Sequence, residues 1–290
     1  MKRNHKKKAQ YDHNGFERFF VENLEVICAH AKGEAKGSIV FVHGVCHGAW
    51  CWENFLRDFS DRGYDCFALS LRGHGNSAGH GLRKQLYSVA CYVSDVKKVV
   101  EQCSKKTHEK PFLMGHSMGG AIVQQYIDKY SETIKGAILL APVTAEGMGW
   151  KCCGRLASSK SGWCSLLTIL FGWNMKQLLK NSTFFVAMDS DGDTTPRIVD
   201  EDKIARYNKL LCAESVWAVC GLIRYKLSGA VNIPVFVIGS DTDAFFPADS
   251  LKKTAGFYRT SPTILNGLCH DIMLDPKWEQ AAQAIGEFLK

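Results

Sequence analysis

Pro111-Phe112-Leu113-Met114-Gly115-His116-Ser117-Met118-Gly119-Gly120-Ala121-Ile122 is the stretch on which the reading of this chain turns. Pro111 to Gly115 reads as a buried strand and Met118 to Tyr130 as a helix, so the chain must reverse within Gly115-His116-Ser117-Met118-Gly119. Such a reversal leaves no room for a Cβ two positions before or after its apex. Gly115 and Gly119 stand at those positions, and Ser117 stands at the apex. The turn lifts the serine Oγ clear of a sheet and puts the Met118 N–H at the positive end of the following helix.

Working outward, apolar runs bounded by Gly, Asp and Ser alternate with helical patterns. Leu24 to Ala31, Ser38 to His43 and Tyr64 to Ser70 read as strands, the second buried on both faces by Ile39, Val40, Phe41 and Val42. Trp52 to Arg62 reads as a helix, and Leu86 to Cys103 as another with its stripe at Val89, Tyr92, Val93, Val96, Val99 and Val100. Beyond the serine come strand Ile134 to Pro142, strand Ile233 to Ser240, a short strand near Pro262 to Asn266 and a closing helix from Lys277 to Leu289. The expected fold is α/β: a mostly parallel twisted sheet flanked by helices. Residues 16–143 and 231–290 form its core, after a basic N-terminal tail at 1–15. Residues 144–230 break the pattern and read as an inserted helical cap over the sheet's C-terminal edge, where ligands bind in open α/β sheets. Its aromatic load, Trp150, Trp163, Phe171, Trp173, Phe184, Phe185 and Trp217 among others, suits an apolar wall as well as a small core.

Composition narrows the function. The 290 residues are 46% apolar and 11% aromatic, enough for a large core. Lys2, Arg3, Lys6, Lys7 and Lys8 supply five of the +7 formal charges, leaving +2 on the rest. A nucleic-acid partner is therefore not expected, and the tail reads as a solvated end with at most a weak membrane-surface contact. The longest apolar stretch, Trp163 to Trp173, is too short for a bilayer span of about 20 residues, and no secretory signal follows the tail. Twelve cysteines without a C-x-x-C pair read as mostly buried, reduced thiols of a cytoplasmic protein; the adjacent Cys152 and Cys153 carry no supporting motif.

A serine at neutral pH needs a base, and the base needs an orienting acid. When a serine sits on a strand-to-helix turn, its partners follow in the order acid, then His. His270, in Gly267-Leu268-Cys269-His270-Asp271 before the last helix, is the one of ten histidines that fits this order. Strand Ile233 to Ser240 ends in Asp241-Thr242-Asp243, and alternation points both carboxylates to the same side, so periodicity alone leaves the acid open.

Four stretches together, Val42-His43-Gly44-Val45-Cys46-His47-Gly48-Ala49-Trp50, Leu71-Arg72-Gly73-His74-Gly75-Asn76-Ser77, the serine turn, and Gly239 to Pro247 with Leu268 to Pro276, resemble the α/β-hydrolase superfamily. The resemblance runs from about Leu24 to Leu289 and is nearest to lysophospholipase-like or esterase-like members. It implies that the acid is Asp243, four residues before Pro247, with Asp241 the alternative. It also implies a second oxyanion donor, the Val45 N–H after Gly44, beside that of Met118, and a structural His43. The first stretch also looks like the plant methylesterase and hydroxynitrile lyase branch. Gly44 stands where lyases have Thr, and Asp271 where they have Lys. Ser117 in place of Asp excludes dehalogenase and epoxide hydrolase chemistry. The implied activity is hydrolysis of a small-molecule carboxylic ester or thioester with an apolar acyl group through an acyl-enzyme, without cofactor or metal. An acyltransferase on the same triad and a slow or non-catalytic receptor are the alternatives.

Three decoys are weaker. Asp189, Asp191, Asp193 and Asp200 have calcium-loop spacing, but Thr194 replaces the required Gly and Pro196 interrupts the loop, so Thr195-Pro196 reads as a helix start. His43 and His47 straddle a turn rather than share a helical face, and Gly73-His74-Gly75 lacks dinucleotide spacing.

Overall fold

Strands without polar alternation can be hidden only between two layers, and this is how the chain arranges them. A computed structural model describes residues 10–11, 15–149, 186–188, 194–198, 200–229 and 231–290. Strands β1 (Gln10–Tyr11), β2 (Glu17–Val21), β3 (Leu24–Ala29), β4 (Gly37–Val42), β5 (Tyr64–Leu69), β6 (Phe112–His116), β7 (Gly136–Leu140), β10 (Val235–Ser240) and β11 (Thr263–Leu265) form one sheet. Its order is β1-β2-β3-β5-β4-β6-β7-β10-β11. The pairs from β5 through β11 are parallel, while β1, β2 and β3 join antiparallel at one edge. The mostly parallel twisted α/β sheet expected from the sequence is present.

Alternation sends successive side chains of the central strands to opposite faces. Ile39, Phe41, Ile138 and Ile238 pack under α1 (Glu53–Asp61) and α7 (Glu279–Phe288), with Phe55, Phe59 and Ile285. Val40, Val42, Leu113, Leu139 and Val237 face α2 (Val89–Thr107), α3 (Met118–Tyr130) and α6 (Ala248–Phe257), with Val96, Ile122 and Leu251. The parallel strands all end at the edge where Ser117 follows β6.

The structure adds elements that periodicity did not mark. Strand β2 is half-exposed, and its ladder with β3 continues a reversal through Glu22, a non-glycine residue at φ 54°. Helix α6 fills the crossover between β10 and β11, where too few apolar residues mark a stripe. Between 144 and 230, the described residues hold a two-stranded antiparallel ladder, β8 (Val186–Met188) with β9 (Thr194–Pro196), and helices α4 (Glu201–Leu210) and α5 (Val216–Ile223). Thr195-Pro196 is thus strand, not helix start: Asp200 caps α4, accepting from the Asp202 and Lys203 amides at 3.0 and 3.1 Å. Trp217, part of the aromatic load read as an apolar wall or a small core, is 61% exposed on α5. The basic tail at Lys2 to Lys8, Cys152, Cys153, Asp189, Asp191, Asp193 and the aromatic residues from Trp150 to Phe185 lie outside the described residues. Of nine described cysteines, six are buried, as thiols acting as small hydrophobes should be. No helix among the described residues is long and apolar enough to cross a membrane.

Candidate active site

Ser117 sits at φ 52° and ψ −116°, a conformation that L-residues adopt only when their surroundings force it. The surroundings here are glycines. A Cβ on Gly119 would run into the carbonyls of Val42 and His43, and one on Gly115 into the Gly119 backbone and, at 2.7 Å, Val123 Cγ2. The Ser117 amide donates to Leu140 O at 3.1 Å and its carbonyl accepts from Val143 N at 3.2 Å, so β7 grips the turn from the side.

His270 Nε2 lies 2.9 Å from Ser117 Oγ, and His270 Nδ1 lies 2.8 Å from Asp243 Oδ2. All three side chains are buried. A carboxylate only accepts, so Nδ1 carries the ring proton and Nε2 offers its lone pair to the hydroxyl. The other carboxylate oxygen, Asp243 Oδ1, accepts from the Phe245 and Phe246 amides at 2.7 and 3.0 Å, while the rings of those two residues flank the imidazole. Asp241 goes elsewhere. It is exposed, and its Oδ1 accepts from Gly267 N at 2.9 Å, closing the loop in front of His270. The two acids part because the chain turns immediately after Thr242, which brings Asp243 and not Asp241 to His270.

Gly44 packs directly on the serine, since a Cβ there would lie 3.1 Å from Ser117 Cβ and 2.8 Å from His116 Nδ1. The turn from His43 to Val45 and the first turn of α3 at Met118 therefore both border the hydroxyl. His43 Nε2 accepts from Leu71 N at 3.0 Å and its Nδ1 donates to Gly44 O at 2.8 Å. Burial, reinforced by nearby His74, pushes its pKa well below the ordinary imidazole value, so His43 is a neutral structural strut. Burial, with the neighbouring His270, likewise lowers His116 to about 3, and its Nε2 donates to His270 O at 3.0 Å.

Two groups of residues at this rim escaped the sequence reading. Cys46 has φ 66°, and Glu214, fully buried before α5, accepts its amide at 3.2 Å while Cys212 N donates to Cys46 O at 2.9 Å. Glu214 also accepts from His74 Nε2 at 2.9 Å, Tyr92 Oη at 2.7 Å and Ser215 N at 2.8 Å. Burial opposes its charge, yet His74, Lys84 and the Ser215 amide prevail and hold its pKa at about 2. The second group is His47 with Asp271, whose Nε2 and Oδ2 are 3.0 Å apart. Partners so distant in sequence carry no local spacing signal.

As for metal ligation, donor atoms of His116, His270 and Asp271 lie within 4.8 Å of one another, but both His270 nitrogens are already engaged by Ser117 and Asp243. Glu17, Cys28 and His30 form a second such group at the antiparallel edge, remote in the sheet order from β6.

Comparison with known proteins follows the same line. The family model described as serine aminopeptidase, S33, matches residues 33–277. The chain belongs to this α/β-hydrolase family. Within 38% of its length it is 36% identical to protein phosphatase methylesterase 1 of Candida albicans and 32% identical to caffeoylshikimate esterase of Arabidopsis thaliana. These matches cover 31% and 34% of those proteins, so the chain spans about a third of the length of the curated relatives it matches. Among solved structures, an esterase from Exiguobacterium antarcticum superposes with a TM-score of 0.71 at 14% identity, covering 97% of this chain and 98% of that one. A bromoperoxidase from Bacillus anthracis gives 0.70 at 18% identity, covering 94% and 99%. At such identities these structures bear on the family's fold alone.

Proposed function

We propose that the chain hydrolyses a carboxylic ester or thioester with an apolar acyl group through an acyl-enzyme on Ser117. The observation that carries this is the unbroken hydrogen-bond line from Asp243 through His270 to Ser117, at 2.8 and 2.9 Å, ending on a serine held at φ 52°. The esterase and methylesterase names of its relatives point to the same bond type.

In this reading Ser117 Oγ attacks the acyl carbon as His270 Nε2 takes its proton. The Val45 and Met118 amides stabilise the oxyanion, backbone donors being rigid and already oriented. His270 then protonates the leaving alcohol or thiol, takes a proton from a water that attacks the acyl carbon, and returns it to Ser117 Oγ as the Oγ–acyl bond breaks and the carboxylic acid departs. Asp243 stays ionised and keeps Nδ1 protonated throughout. Within the inserted stretch, the described residues Cys212 and Glu214 lie beside the Cys46 segment, and this part shields the acyl chain from water.

The test is p-nitrophenyl butyrate turnover by wild type and Ser117→Ala, with fluorophosphonate labelling alongside. Turnover should fall by about 10⁴-fold or more in the variant, without loss of folding, and labelling should disappear. Parental turnover by Ser117→Ala would refute the proposal.

A further inference from the structure

The imidazole of His47 is buried, and each of its ring nitrogens faces an oxygen acceptor. Its Nδ1 lies 2.6 Å from the Val45 carbonyl and its Nε2 lies 3.0 Å from the Asp271 carboxylate, with both side chains at most 2% exposed. The carbonyl accepts from a protonated Nδ1, and the buried carboxylate at ion-pair distance from Nε2 favours a second proton there, so the ring is held as an imidazolium. Trp50 stacks on its face at 5.3 Å. One end of this cation therefore holds the residue whose amide is assigned to the oxyanion, and the other holds the residue directly after His270.

We propose that His47, protonated on both ring nitrogens and paired with Asp271, is a positioning residue that fixes the Val45 amide relative to His270. The inference rests on the ester-hydrolysis reading above and deepens it. A hydrogen bond accepted by the Val45 carbonyl also polarises the peptide that it shares with the Cys46 amide, which Glu214 accepts. The oxyanion segment is thus strung between a cation and an anion, with Cys46 in its left-handed conformation between them.

The pair is electrostatically self-consistent. Burial works against the His47 cation, but Asp271 outweighs it and raises the pKa above the usual imidazole value. Burial likewise works against the Asp271 anion, and His47 outweighs it. Among the described residues, the other titratable groups facing the ring are Glu214 beyond the oxyanion segment, His43 on the same segment, and His116 at the end of β6, with its ring centroid 6.4 Å away. His43 and His116 are held neutral, and burial keeps the Cys46 and Cys51 thiols protonated. A proton lost on the alkaline side in this group therefore comes from His47.

The experiment measures kcat and KM for p-nitrophenyl butyrate against pH in wild type, Asp271→Asn, and the double variant His47→Gln with Asp271→Asn. The double variant buries no unpaired charge and keeps the volumes, so it folds even where a single variant does not. It is expected to lose about 10- to 100-fold in kcat with KM within about twofold, the pattern of a lost transition-state interaction. It should also lose the alkaline fall in kcat expected of wild type as His47 deprotonates. A merely structural role would leave that limb in place. Parental kcat with an intact alkaline limb in the folded double variant would overturn the inference. If Ser117→Ala is inert and labelling of Ser117 is normal, such a result overturns this inference alone; if Ser117→Ala keeps parental turnover, both readings fall.

Discussion

Glu214 is the residue whose replacement tests most directly how the oxyanion segment is held. It is fully buried and spends both oxygens: Oε1 accepts from Tyr92 Oη and Ser215 N, Oε2 from His74 Nε2 and Cys46 N. Glu214→Gln preserves the shape but turns one oxygen into an amino group. Tyr92 can rotate its hydroxyl to accept, and His74, with Nδ1 donating to the Arg72 carbonyl 3.1 Å away, can present a bare Nε2 as acceptor. A backbone N–H can do neither. Whichever way the amide is placed, the Ser215 or the Cys46 amide faces another donor and loses its acceptor. One orphaned buried donor costs about 1–3 kcal/mol, and the lost charge assistance on the remaining bonds brings the total to about 2–4 kcal/mol. Urea unfolding of both proteins measures this. The pH dependence has a definite sign. The folded pKa of about 2 lies below the ordinary 4.5, so Glu214 contributes stability that is whole above 4.5 and is lost as pH falls from 4.5 toward 2. By linkage that contribution is on the order of 3 kcal/mol. The gap between wild type and variant should therefore narrow from about pH 7 to about pH 3.5. A variant within about 0.5 kcal/mol of wild type, or a gap that does not change with pH, would refute the reasoning.

Two further predictions concern residues beside the serine. Asp243→Asn should lower kcat by about 10⁴-fold, since the amide can impose the wrong tautomer on His270, whereas Asp241→Asn should change it by less than about threefold, because Asp241 only closes an exposed loop; steady-state kinetics on an aryl ester separates them, and equal losses would count against the assignment. Gly119→Ala should destabilise by about 3 kcal/mol or more, because the new methyl meets two backbone carbonyls that cannot move without breaking β4 from α3; a thermal melt reads it, and an unchanged midpoint would show that the turn is looser than its contacts imply.

The sheet was legible because its central strands are apolar throughout, and a run such as Ile39 to Val42 has no other stable placement. Ser117 was legible for a local reason, since steric crowding at the turn demands Gly115 and Gly119 at fixed offsets. His270 was legible through chain order. What was not legible depends on distance in sequence. Asp241 and Asp243 are equivalent under strand alternation and differ only in where the loop turns, which is set by the Phe245 and Phe246 amides folding back onto Asp243. Helix α6 and strand β2 carry weak stripes because each covers only part of the sheet. Thr195-Pro196 has the residue types of a helix start, yet pairing of Ala187 with Thr195 draws it into a ladder, and Asp200 takes over the cap. Trp217 belongs to the aromatic load read as a wall or a small core, but the position of α5 leaves it exposed.

The same distance explains why the loops around Ser117 rely on buried carboxylates. A segment that must present groups to a substrate cannot join the sheet, so its amides have no ladder partners and would be costly to bury unsatisfied. Each such segment here finds a carboxylate. Glu25 accepts Asn76 N at 2.9 Å, Glu214 accepts Cys46 N at 3.2 Å, Asp243 accepts Phe245 N at 2.7 Å, and Asp275 accepts Cys269 N at 3.0 Å. A neutral side-chain oxygen could fill the same space, but an ionised one makes a stronger bond to an amide and accepts several at once. The arrangement carries a cost that the sheet does not share. Burial raises the Asp275 pKa while Arg197 and the Cys269 and Lys277 amides lower it further, and Glu214 is shifted down to about 2. Both loops therefore lose support as pH falls below the ordinary carboxylate range. The strands, held by backbone ladders and apolar contacts, do not. Acid should accordingly release the segments at Cys46 and Cys269 before it unfolds β4 to β7. Amide exchange at falling pH, corrected for the intrinsic rate, would show this as early loss of protection at those two amides, and simultaneous loss across the sheet would contradict it.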